Sequence, residues 1–160
     1  MAVGAPVALV EACHRAALDE IRHARSADRL AGRGPSRFGA IPKLLGRRVG
    51  GWTRSRRKQL QRIAVESFVD GWLNESAAAE RLRRRADAAS TAEEQAILFA
   101  MADDEAGHAE LARAIVTWCL EEEPTAVGRA LAPVVAQVDG HVVGEGPRRA
   151  VGSFEPAQPS

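Results

Sequence analysis

Aromatic residues make up only 4% of this chain. Strands draw on aromatic and β-branched side chains to fill a pleated surface, whereas abundant alanine favours closely packed helices. The shortage therefore excludes a sheet-rich domain and predicts an all-α one. Cysteine is nearly absent too: Cys13 and Cys119 are the only pair in 160 residues, too few for a disulfide framework. Both fall in helical runs, where reduced, buried thiols are expected. No apolar stretch approaches the roughly 18 residues a membrane span needs, and Met1 to Val10 lacks the basic start of a secretory signal. The expected protein has no membrane partner and is cytoplasmic. Acidic residues are missing between Arg29 and Val65, a segment holding eleven Arg and Lys although the whole chain carries a net charge of only +1. Such a strap raises nucleic acid or phosphate as partners, but Arg54 to Arg62 has only Trp52 beside it as an aromatic and no recognised binding motif. A solvated basic helix start is the expectation, with nucleic acid not the expected partner.

The composition that remains, 46% hydrophobic and 27% charged, is that of one globular domain with a buried core. Its helices are written in the spacing of apolar residues. Pro6 suits a first helical turn, and Leu9, Cys13, Ala16, Ala17, Ala24, Ala27 and Leu30 carry a first helix to Ala31-Gly32. Gly32 to Gly51 is rich in Gly and Pro and reads as a long crossing loop, with a short helical turn expected at Lys43 to Arg48. A second helix is expected from Thr53 to Ala88, with Ile63, Phe68, Trp72, Leu73, Ala79 and Leu82 inside and Gly71 weakening its middle. Ser90-Thr91-Ala92-Glu93-Glu94 forms a capping box. It opens a third helix whose buried stripe is Ile97, Leu98, Met101, Glu105, His108, Leu111, Ala112, Ile115 and Cys119, ending at Pro124. A short amphipathic helix, Ala126 to Val138, should lie across one end. The helical domain is thus 1–138, including a basic loop at 32–53, and the Gly, Pro and Ser of 139–160 predict a disordered tail.

Polar residues interrupt the apolar stripes at matching places. Asp19-Glu20-Ile21-Arg22-His23 in the first helix and Asp104-Glu105-Ala106-Gly107-His108 in the third share one acid-acid-x-x-His pattern. Residues three apart on a helix lie on one face, so each Glu and His can aim at a common point. Carboxylate and imidazole converging there suit a transition metal, and buried polar groups need partners of some kind. A further pair, Glu11 and His14, lies nine residues earlier and so on the opposite face, where it reads as solvated surface. Glu75 falls on the apolar stripe of the second helix, thirty residues before Glu105, the separation of facing positions in an antiparallel helix pair.

A dinuclear carboxylate site in a four-helix bundle takes one Glu from each of two helices and a Glu-x-x-His from each of the others. Five of those six ligands are in place: Glu20, His23, Glu75, Glu105 and His108. A Glu thirty residues before Glu20 would precede Met1, so the first of the four helices is expected to be missing from this chain. The two motifs, with Gly71-Trp72-Leu73-Asn74-Glu75-Ser76 before the second, resemble the ferritin-like superfamily of di-iron carboxylate proteins, and more narrowly bacterial ferritin-like domain proteins, over about Val7 to Glu123. The resemblance implies an antiparallel ferritin-like bundle holding iron or manganese, possible as a dinuclear centre, on those five residues. Asp19 and Asp104 would hydrogen-bond a ligand imidazole and fix its tautomer. It also implies metal oxidation or oxygen and peroxide handling, although no catalytic residue follows from the pattern. The competing reading is a metal-free helical scaffold whose carboxylates are held by the histidines and by Arg22 or Arg113. Either reading leaves an apolar face to be covered by a second copy or another chain.

Overall fold

A computed structural model describes residues 3–32 and 55–144, the last six of these as backbone only, and every element in it is helical. Helix α1, Val7–Leu30, starts where the carbonyl of Pro6 accepts from the amides of Leu9 and Val10. It stops at Gly32, whose φ of +64° is a left-handed conformation that only glycine adopts without strain. A second rod is continuous but not uniform: α2, Arg56–Glu66, passes into a π-helical stretch, Ser67–Leu73, and then into α3, Asn74–Asp87. After a turn at 88–91 comes α4, Ala92–Glu122. Its capping box is formed as expected, Thr91 Oγ1 accepting from the Glu94 amide and the Glu94 carboxylate reaching back to the Ser90 amide. Glu123 leaves helical geometry, and Pro124 opens α5, Pro124–Gly144. Proline fits there because the first residue of a helix needs no amide hydrogen.

Helix α4 is the centre of the arrangement. It packs against α1, α2, the π-helical stretch, α3 and α5, whereas among the described residues α4 is the helix on which α1 packs. The apolar core lies where α2, the π-helical stretch, the second half of α4 and α5 meet, and is built from Leu60, Ala64, Phe68, Val116, Trp118, Cys119, Val127 and Leu131. Phe68 meets Trp72 edge-to-face, with ring centroids 5.5 Å apart, an arrangement the ring quadrupoles favour. The basic start of α2 is not left to solvent: Arg56 bonds Glu122 and the Val3 carbonyl, and Arg57 lies 3.4 Å from Glu123. Each cluster would be unfavourable alone, cations at a helix N-terminus and anions at a C-terminus, and each offsets the other.

Several expectations change. Gly71 does not merely weaken its helix. A Cβ there would stand 2.5 Å from the Cβ of Ala112, so glycine is what lets the π-helical stretch approach α4. The last helix starts before Ala126 and continues past Val138 to Gly144, so the expected tail from 139 begins as helix. Cys119 is buried, and burial pushes its thiol up to about 11, but Cys13 is exposed because it lies away from the α4 side of α1. Ala102 and Ala109 are buried without having been expected inside, since α4 is enclosed from more sides than a single stripe implies, and Leu60 and Ala64 are buried because α2 packs on both α4 and α5. The crossing loop beyond Gly32, its turn at Lys43 to Arg48, and 145–160 lie outside the described residues. Among the described residues no helix is long and apolar enough to cross a membrane.

Candidate metal centre

The two acid-acid-x-x-His segments meet. His23 Nε2 lies 3.0 Å from Asp104 Oδ2, and His108 Nε2 lies 3.3 Å from Asp19 Oδ2. Residue 19 therefore faces 108 and residue 23 faces 104, which is possible only if α1 and α4 run antiparallel at this level. The pairing is reciprocal about a local two-fold axis, each helix supplying the aspartate for the other's histidine. Arg22 ties the two halves together, with Nη2 2.6 Å from Asp19 Oδ1 and 3.3 Å from Asp104 Oδ2. Arg113 takes no part, pairing instead with Glu110 one turn away on the surface.

An ionised carboxylate only accepts, so Nε2 of each ring carries the hydrogen. Asp104 is held ionised: burial would raise its pKa, but the bonds from His23 and Arg22 outweigh burial and hold it below its ordinary value. With Nε2 protonated, Nδ1 of a neutral ring presents a lone pair to the inside. There it meets Glu105, whose Oε1 lies 3.2 Å from His23 Nδ1 and whose Oε2 lies 3.3 Å from His108 Nδ1. Glu20 Oε1 lies 3.4 Å from His108 Nδ1 and 4.0 Å from His23 Nδ1. His23 is 6% exposed and Glu105 8%, yet His23 Nδ1 and Glu105 Oε2 are buried without a hydrogen-bond partner. Lone pairs facing one another at that range repel unless a proton or a cation lies between them.

Glu75 joins from α3. Its carboxyl is pushed up to about 7, first by burial, then by a hydrogen bond shared with Glu105 and by the charges of Glu105 and Glu20, with His108 opposing. His108 shows the complementary effect. Burial alone would lower its pKa, but Asp19, Glu105 and Glu20 hold it above its ordinary value. The cluster thus holds more negative charge than its own cations neutralise, and it retains protons in compensation.

Donor chemistry and spacing fit a cation. One atom each of Glu20, Glu105 and His108 lie within 4.8 Å of one another. Bonds of about 2.0–2.2 Å to a metal place adjacent donors roughly 3 Å apart, the range in which Nδ1 and Glu105 stand. All seven residues singled out from the sequence, Asp19, Glu20, His23, Glu75, Asp104, Glu105 and His108, therefore lie in one cluster. Glu20 departs from expectation in being at the edge: its side chain is 57% exposed, since no helix among the described residues packs across that side of α1. Glu11 and His14 are exposed, as the half-turn offset requires. The crossing of each aspartate to the opposite helix has no signature in the spacing, because an aspartate four residues before a histidine is equally placed to serve its own. Comparison of the chain with protein-family models, with curated proteins and with solved structures finds no match.

Proposed function

We propose that this chain is a metal-binding protein of the ferritin-like kind, with iron or manganese held by His23, His108, Glu105, Glu20 and Glu75. The observation that carries the reading is the pair of buried, unsatisfied atoms at the centre, His23 Nδ1 and Glu105 Oε2. Each ring is oriented by an aspartate on its far nitrogen so that Nδ1 faces Glu105. That is the outer support a ligating imidazole requires, and it raises the ring's basicity as a donor. Imidazole and carboxylate together suit iron and manganese. Such an ion supplies one-electron redox chemistry, and the function proposed is metal oxidation or the handling of oxygen or peroxide. The chain's own residues do the positioning: Asp19 and Asp104 fix the tautomers, Arg22 holds the aspartates, and Glu75, whose carboxyl is inclined to keep its proton, would release it to solvent if a cation bound.

A second reading has its own support. Arg22, bridging both aspartates, and His108, inclined to hold a proton, make a network that partly balances without metal. Metal analysis of protein purified from iron- and manganese-supplemented cultures separates the two. The proposal expects bound metal that is lost from the Glu105→Ala/His108→Ala double variant, while helical content by circular dichroism persists. Wild-type protein that neither retains nor takes up either metal would leave the scaffold reading. The basic strap supports no third: in its described part Arg56, Arg57 and Arg62 are paired with Glu122, Glu123 and Glu66.

A further inference from the structure

Helix α1 has two apolar faces, of which one is packed among the described residues. Its packed face centres on His23, with Ala12, Ala16 and Leu30 partly covered by α4. At about 100° per residue, Val10, Cys13, Ala17, Ile21 and Ala24 form a second stripe, within about 80° of arc, and all five are exposed. Val10 is 42% exposed and Ile21 41%. Glu20, the open edge of the metal cluster, borders this stripe. Beside it runs a groove, since α1 and α3 both pack on α4 but not on each other. Below the cluster the groove widens into a cleft of about 200 Å³ lined by Leu30, Leu82, Leu98 and Met101 and also by the charged Arg85 and Glu94. A groove of this shape fits one amphipathic helix with small residues along its contact line.

We infer that the occupant is α1 of a second copy, in a two-fold dimer where each copy's α1 lies in the other's groove and covers the open edge of its metal cluster. A two-fold interface needs one continuous patch that is its own complement. Here α1 is a wall of the groove and also carries the exposed stripe, so the two are adjacent on one element. Antiparallel helices overlap most when they cross at their midpoints, and the stripe residue nearest the middle of Val7–Leu30 is Ala17. Crossing there sets Ala17 against the second copy's Ala17, where the two helices approach most closely, and on either side of it Val10 against Ala24 and Ile21 against Cys13, a larger side chain against a smaller one. Helix α1 is about 36 Å long. Contact with α1 and α3 of the other copy over strips some 10 Å wide buries roughly 700 Å² per copy, close to the ~800 Å² per partner of a stable interface.

The inference rests on the shape of α1 and not on metal binding, so the two can fail separately. Light scattering coupled to size exclusion on the full chain, at about 50 μM, should give a dimer. The Val10→Glu/Ile21→Lys double variant should be monomeric, its dissociation constant raised at least ~100-fold, because two apolar anchors at the centre of an interface become charged. Its circular dichroism should be unchanged, since neither residue is buried within one copy. The Glu105→Ala/His108→Ala variant should remain dimeric while losing metal. Independently of any folding effect in the double variant, Ala17→Cys in a Cys13→Ser background should form an intermolecular disulfide on mild oxidation, and Ser26→Cys in the same background should not. A wild-type monomer at that concentration, a dimer that survives the two charges, or crosslinking no better at 17 than at 26 would each overturn the inference.

Discussion

The chemistry of this protein turns on which atoms of a few side chains hold protons. Without metal, the Glu75 carboxyl is pushed up to about 7 by burial and by its acidic neighbours. An acid whose folded pKa lies above its unfolded value of 4.5 favours the fold while protonated. That stabilisation is full below pH 4.5 and is lost as pH rises through about 7. Metal-free protein, prepared with chelator, should therefore melt at progressively lower temperature between pH 5 and pH 8. Glu75→Gln should flatten that decline and raise the melting temperature at pH 8, measured by circular dichroism. A wild-type curve as flat as the variant's would show that Glu75 titrates normally. Little of this was legible in the sequence. Spacing put Glu75 on an apolar stripe, but its proximity to Glu105 depends on how α3 lies on α4.

At the level of elements, two glycines in helices have opposite meanings. Gly71 faces Ala112 so closely that a methyl group would overlap its Cβ, whereas Gly107 has nothing within 4 Å. Gly71→Ala should destabilise the protein by about 1–3 kcal/mol through overpacking. Gly107→Ala should stabilise it by about 0.5–1 kcal/mol, the ordinary helix-propensity gain. Urea denaturation of both variants distinguishes the cases, and equal effects would refute the packing argument. Thr91→Ala removes the bond to the Glu94 amide and should cost about 1 kcal/mol in the same assay. The capping box could be read from sequence because its partners are three residues apart. The role of Gly71 could not, since its partner is Ala112, and the π-helical stretch around it has no pattern distinguishable from an α-helix.

For the whole molecule, apolar packing and the polar cluster occupy different parts of α4. The core of Leu60, Val116, Cys119 and Val127 lies toward its C-terminal end, and the cluster around Glu105 toward its middle. Leu60 is fully buried, and Leu60→Ala should cost about 2–5 kcal/mol by leaving a cavity, without altering the metal content of the fraction that remains folded. A parallel loss of metal per folded molecule would show that the two regions are not separable. Helix α1, which among the described residues packs on α4, is joined to it partly through the cluster, so the histidines and aspartates contribute to architecture as well as chemistry.

Patterns within the chain were enough to place the helical elements, the cap of α4, the break at Pro124 and the seven polar residues that converge. All of these are local: helical periodicity, capping and i to i+3 spacing act over a few residues and leave their pattern in the chain. Tertiary structure alone decided that the aspartates cross to the opposite helix, that Arg22 joins them, that Glu20 stands at an open edge, and that Gly71 must be glycine. Each depends on contacts between residues tens of positions apart, where the packing of one helix on another, and not the spacing within either, sets which atoms meet.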